Sequence, residues 1–266
     1  MNPLISWDYP QKEWIICNFC GTVFHRASVN HSEFLACPNC DAIARERVAY
    51  QCILNEIYRR FGVARLFIGQ SNELSQWKML ECSPRHNDTR RKIYQDTFGH
   101  YLASDFDLRT HRADIKIDLT NQDDISQFPE AFDLILCSHV LEHIPDYKQA
   151  LQNLHFMLAP GGLLILQVPL LEGEYTPVTW EEFHADNTPV FHRFSFDLLL
   201  DLDSFFSQAT AVVGRLKFRI RSPEIAKNKY DFLNKNQERC LILGAQLSRY
   251  YGLGAPDLCD AFIAYK

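Results

Sequence analysis

The sequence has no apolar run approaching the roughly 18 to 20 residues needed to cross a bilayer. Its start, MNPLISWDYPQKEW, lacks the basic and then apolar pattern of a secretory signal. The expectation is a soluble, cytoplasmic protein. Nor is there an excess of positive charge, because 27 Lys and Arg against 33 Asp and Glu leave a net charge of −6. Such a chain has no overall field for a phosphate backbone, which disfavours nucleic acid as a partner without excluding a local patch at Arg85, Arg90, Arg91 and Lys92. Charge is also too sparse for disorder: 23% charged residues against 47% hydrophobic ones and 13% aromatics can bury a sizeable core.

Paired disulfide spacing is missing too. Of nine cysteines, five (Cys52, Cys82, Cys137, Cys240, Cys259) stand alone in apolar or helical surroundings. The other four form two CxxC pairs, Cys17 with Cys20 and Cys37 with Cys40, separated by a spacer of 16 residues. Each CxxC makes a tight turn that points two thiolates at one ion, and the second pair completes a tetrahedron, the signature of a structural zinc ribbon. Gly21 suits the first turn, and Asn39 plays a similar part in the second. Val23, Phe24, Phe34 and Leu35 read as two short strands, too few to make a core without the metal. His25 and His31 are set aside as surface residues, since four thiolates already satisfy zinc.

Asp41 is placed to cap a helix in which Ile43, Val48, Ile53, Leu54 and Ile57 recur near helical spacing, and Gly62 ends it. From residue 63 the pattern becomes apolar strands alternating with amphipathic stretches, which predicts parallel strands joined by helices. The strands read as Met79–Cys82, His100–Ala103, Ile115–Ile117, Leu134–Cys137, Leu163–Val168, Ala209–Val213 and Ala261–Tyr265. The chain therefore divides into 1–62, a zinc ribbon with its connecting helix, and 63–266, a larger α/β unit.

Residues 132–169, FDLILCSHVLEHIPDYKQALQNLHFMLAPGGLLILQVP, combine a buried strand, a turn, a helix and an LAPGG turn into another strand. This segment resembles class I S-adenosylmethionine-dependent methyltransferases of type 11. CPNCDAIARER and MLECSPRHND resemble a bacterial subgroup that joins a zinc ribbon to the same fold. The resemblance implies a Rossmann-like seven-stranded sheet and S-adenosylmethionine as cofactor. One departure stands out: the glycine-rich loop usual after the first strand is replaced by ECSPRHND at 81–88. Ser83 and Pro84 must give that loop another path, with Glu81 and Cys82 leading into it.

On the same resemblance, Asp105 accepts the ribose hydroxyls and Phe106 covers the adenine face. Asp118 and the backbone amide of Leu119 meet the adenine amino group, and Ser138 and His139 lie beside the cofactor. A sulfonium methyl is already electrophilic, so the protein chiefly has to hold a nucleophile in line and accept its proton. Glu142 and His143, in SHVLEH after the fourth strand, are the leading candidates for that work, with His143 as base. HVLEH also matches the HxxEH metal motif, but a strand precedes it and Pro145 follows, which disfavours the continuous helix that motif needs. Residues 170–194 read as a substrate lid, where His184, His192 and Arg193 are placed for acceptor contact and His192 matches the subgroup's His-x-Arg pattern approximately.

The expected activity is methyl transfer from S-adenosylmethionine to a small-molecule or glycan acceptor, at a hydroxyl. Two alternatives stay open: an RNA methyltransferase whose ribbon grips RNA, and a non-catalytic interaction module that has lost the cofactor. Lys227, Lys229, Lys235 and Arg239, beside Tyr230 and Phe232, read as a solvated helix rather than a basic binding face.

Overall fold

The computed structural model describes residues 14–25, 36–85, 87–170, 182–183, 187–213, 240–242 and 261–266. His31, Phe34, Leu35, His184 and the basic and aromatic residues between 227 and 239 lie outside the described residues.

The chain opens with an antiparallel pair, β1 (Trp14–Ile16) and β2 (Val23–His25), wrapped around the first CxxC turn. The strand before Cys17 escapes the sequence pattern because it lies before the stretch from residue 63 in which strands and helices alternate. Helix α1 (Ala44–Phe61) follows and ends at Gly62, whose φ of +69° suits a residue without Cβ. Its start differs from expectation. Glu46 reaches back to the Ile43 amide at 2.9 Å, and Asp41 takes another role.

Next come β3 (Lys78–Cys82), α2 (Asp88–Thr97), β4 (His100–Asp105), α3 (Leu108–His111), β5 (Ile115–Lys116) and α4 (Gln122–Ile125). The second half holds β6 (Phe132–Ser138), α5 (Tyr147–Met157), β7 (Leu158–Gln167), the pair β8 (Glu182–Phe183) and β9 (Pro189–Val190), and α6 (Leu198–Asp203). It closes with β10 (Gln208–Val213), β11 (Cys240–Ile242) and β12 (Ala261–Tyr265).

The main sheet runs β11-β10-β12-β7-β6-β3-β4-β5. All seven strands read from the sequence are in it, and β11 extends it beside β10. Only β12 runs antiparallel to its neighbours. From β3 the chain crosses to β4 on one side, and from β6 it crosses to β7 on the other. A crevice therefore opens beyond the carboxyl ends of β3 and β6, the topological switch point where α/β sheets bind ligands.

β7 begins earlier than the sequence suggests, at Leu158, and carries LAPGG within an irregular stretch where the register against β6 shifts between Phe132 and Leu134. Gly162 is required there: a Cβ would sit 2.8 Å from the Ala159 carbonyl and 3.1 Å from that of Phe132.

The four-cysteine module is built into one face of the sheet. Cys17, Phe19, Cys37 and Cys40 share an apolar cluster with Tyr50 and Ile53 of α1, Tyr94 of α2, Met79 of β3 and Leu134 of β6. Phe19 stacks on Tyr50 with ring centroids 4.5 Å apart and meets Tyr94 edge-on at 4.9 Å. Each fully buried ring of this kind contributes roughly 1.5–3 kcal/mol. Among the described residues no helix is long and apolar enough to cross a membrane.

Candidate functional site

Asp105 ends β4 at the rim of the crevice, 7% exposed. Its carboxylate accepts the Ser83 hydroxyl at 2.5 Å and the Asp107 amide at 2.8 Å, and the His111 Nδ1 lies 2.7 Å away. Burial raises the carboxyl, but the hydrogen bonds from His111, Ser83 and the Asp107 amide outweigh it, so the group is held below the usual carboxylate range. Ser83 has φ +53°, the left-handed region a glycine normally occupies, and its amide binds the Ser104 carbonyl at 2.8 Å. The loop that lacks glycine is therefore fastened to the acid across from it.

Cys82 is buried and pairs in register with Cys137 of β6. Glu81 faces elsewhere. It takes the Tyr101 hydroxyl at 2.5 Å and shares a cleft of about 220 Å³ with Pro84, Arg85, Arg90 and His111. Burial pushes its carboxyl upward against the pull of Arg90 and Tyr101. Phe106 is 66% exposed, with the Lys116 ammonium 5.4 Å from its ring centre. Asp118 closes an Asx turn, accepting the Thr120 amide at 2.8 Å and hydroxyl at 2.7 Å, while buried Leu119 offers its carbonyl to Asn153 at 2.8 Å.

Across the crevice, the Ser138 hydroxyl donates to Gln167 at 3.1 Å, and the His139 amide donates to the Gln167 carbonyl at 2.8 Å. Gln167 in turn reaches the Arg45 carbonyl at the start of α1 at 2.9 Å. His139 has φ +56°. Its Nδ1 lies 3.4 Å from the Glu142 carboxylate, and burial holds the ring below the usual histidine range, helped by the charge of Arg45. The His139 Nε2 and both Glu142 carboxylate oxygens are buried without a hydrogen-bond partner. Buried polar atoms of this kind are uncommon and call for a functional or structural reason.

His143 Nδ1 lies 2.6 Å from the Pro189 carbonyl, which can only accept, so Nδ1 carries a proton, while Nε2 lies 3.9 Å from the Glu142 carboxylate. His192 is drawn to the same turn through its amide, 3.3 Å from the Glu142 carbonyl. Its ring points to the Pro145 carbonyl at 2.9 Å and packs on Tyr147. The expected sites thus fall into three groups: Ser83 with Asp105, Asp118 with Leu119, and Ser138 to His143 with His192. Arg193 turns away to Glu182 at 2.9 Å.

The four cysteine sulfurs lie within 4.8 Å of one another, with Cys17 to Cys40 and Cys20 to Cys37 both at 3.6 Å. A tetrahedral zinc with sulfurs about 2.3 Å away separates them by about 3.8 Å, so the donor set and its size are compatible with zinc.

Sequence reasoning missed Gln167, His111 and the partners of the basic stretch. Arg85 pairs with Asp41 at 2.7 Å, Arg90 with Glu46 at 2.6 Å and Lys92 with Asp96 at 2.8 Å, and Arg91 pairs with Asp114. A run of cations gives no hint of acids 44 residues upstream.

The family described as a methyltransferase domain matches residues 50–201. A 44-residue stretch is 39% identical to the ubiquinone biosynthesis O-methyltransferase of Pseudomonas syringae, covering 16% of this chain and 19% of that one. A 71-residue stretch is 37% identical to the tRNA U34 carboxymethyltransferase of Wolinella succinogenes, covering 26% of each. The chain thus matches about a quarter or less of the length of these relatives. Among solved structures, a SAM-dependent methyltransferase from Archaeoglobus fulgidus is 14% identical, with 81% of this chain and 94% of that one covered at a TM-score of 0.45.

Proposed function

The chain belongs to the methyltransferase-domain family as an S-adenosylmethionine-dependent enzyme, and from that premise we propose that it methylates a hydroxyl of a small molecule or glycan. The observation that carries the reading is the pair of buried polar groups without hydrogen-bond partners, His139 Nε2 and the Glu142 carboxylate, on the turn that follows β6 at the carboxyl end of the sheet.

The bound cofactor supplies an activated methyl group. Asp105, held rigid by Ser83 and His111, receives the ribose hydroxyls, and the loop of Cys82, Ser83 and Pro84 follows the methionine end from Glu81 onward. Phe106 closes over the adenine, Asp118 and the Leu119 amide meet its edge, and Ser138 and His139 line the opposite wall. His143 accepts the acceptor's proton at Nε2 while Pro189 fixes its tautomer, Glu142 steadies the charge that forms, and His192 holds the acceptor. Zinc at Cys17, Cys20, Cys37 and Cys40 is structural. Residues 1–62 supply the metal module and its helix, and residues 63–266 the methyl-transferring unit.

The likeness to the Wolinella enzyme favours a second reading, an RNA acceptor, although the basic stretch that could serve it is neutralised by acids. The test is calorimetric titration with S-adenosylmethionine and S-adenosylhomocysteine, on the wild type and Asp105→Ala, followed by labelled methyl transfer to panels of glycans, small hydroxylated molecules and tRNA. Binding weakened by the substitution, with label on a hydroxyl, upholds the proposal. Label on tRNA alone moves it to the second reading, and no binding reduces the fold to an interaction module.

A further inference from the structure

The two cysteine knuckles are built to one plan. In the first, the Gly21 amide binds the Cys17 carbonyl at 2.9 Å and the Cys17 amide binds the Thr22 carbonyl at 2.9 Å. In the second, the Asp41 amide binds the Cys37 carbonyl at 2.8 Å and the Cys37 amide binds the Ala42 carbonyl at 2.9 Å. Asp41 thus occupies the position of Gly21 and takes the same left-handed backbone, φ +56° against +79°. For a residue with a Cβ this conformation costs on the order of 1–2 kcal/mol. A glycine would serve the knuckle better, so the aspartate answers to something outside it.

What it answers to is the loop after β3. The Asp41 carboxylate holds the Arg85 guanidinium at 2.7 Å, and Glu46, in the first turn of α1, lies 3.3 Å from Arg85 and 2.6 Å from Arg90. Arg90 is 2% exposed and turns back to donate to the Arg85 carbonyl. Asn87 caps the following helix by accepting the Arg90 amide at 2.9 Å. Arg85 is therefore tied to Asp41 of the second knuckle, Arg90 to Glu46 at the start of the helix that follows it, and Ser83 to Asp105.

Taking the loop as the cofactor's methionine cradle, as proposed above, we infer that the metal module is its positioning element, with Asp41 and Arg85 as positioning residues that do for this loop what glycines do in others. A glycine-rich loop follows its ligand by backbone freedom, whereas this one is held in advance by charge pairs anchored on a metal site. Metal binding and cofactor binding are then coupled through residues 41, 46, 85 and 90.

Asp41→Gly separates positioning from folding, because it relieves the strained backbone while removing the Arg85 contact. On the zinc-loaded full chain we expect this variant to keep one zinc per chain and an unfolding temperature at or above that of the wild type, yet to bind S-adenosylhomocysteine about tenfold more weakly. Arg85→Ala should lose the same amount, and the double variant no more than either. Wild-type affinity in Asp41→Gly, or losses that add in the double variant, would overturn the inference. Hydrogen exchange at the Ser83 and Arg85 amides gives a readout that needs no ligand. Faster exchange in Asp41→Gly supports the clamp even where the wild type binds no S-adenosylhomocysteine and the proposed function fails, and unchanged exchange refutes it.

Discussion

His111 and Asp105 meet at 2.7 Å at the end of β4, and each moves the other's proton equilibrium. The carboxylate raises the histidine above its usual range, and the histidine, together with Ser83, lowers the carboxyl against the effect of burial. The histidine's share of stability is fully present below about pH 6.5 and is lost as pH rises through its raised folded value. The aspartate's share is present above about pH 3.9 and is lost as pH falls through its lowered folded value. An NMR titration should place the His111 midpoint above about 6.5, and Asp105→Asn should bring it back to or below that value. A midpoint indifferent to Asp105 would dissolve the pair.

Ser83 poses a balance between strain and a bond. Ser83→Ala keeps the left-handed backbone and loses the hydroxyl that reaches Asp105, so it should destabilise by about 1–2 kcal/mol. Ser83→Gly loses the same bond but relieves the backbone, and its stability should stay within about 1 kcal/mol of the wild type. Urea titrations of the two variants decide the matter, since equal losses would show that the conformation costs nothing.

The strands and the cysteine spacing were legible because apolar runs and residue spacing are local properties. Alternation placed seven strands, and two CxxC pairs placed four sulfurs that converge within 4.8 Å. Strand β1 lies before the stretch from residue 63 in which strands and helices alternate, and β11 directly follows the basic run read as a helix. Asp41 read as a helix cap because aspartate before an amphipathic run usually is one, and only the fold brings Arg85 to it. The roles of Gln167 and His111 arise likewise from pairs 29 and 6 residues apart that no spacing rule selects.

Because Phe19 packs on Tyr50 and Tyr94 inside the main core, loss of the metal should not stay local. Chelation, or Cys20→Ser, should lower the unfolding temperature of the whole chain and weaken the near-ultraviolet circular dichroism of those rings. Elemental analysis should find one zinc per chain. An intact spectrum after full removal of the metal would mean that the core holds the knuckles rather than the reverse.

Glu142 offers the sharpest separation of stability from chemistry. Its carboxylate is 1% exposed, with neither oxygen hydrogen-bonded and two imidazoles 3.4 and 3.9 Å away. A buried carboxylate with so few polar partners adds little to the fold, so Glu142→Gln, which keeps the shape, should leave stability unchanged or raise it. If the carboxylate steadies His143 as it takes the acceptor's proton, the same variant should lose roughly a hundredfold in kcat while its affinity for S-adenosylhomocysteine is unchanged. A residue kept only for packing would move neither quantity, and one that grips the cofactor would move the affinity first. Stopped turnover in a protein at least as stable as the wild type would therefore assign Glu142 to the transfer step itself.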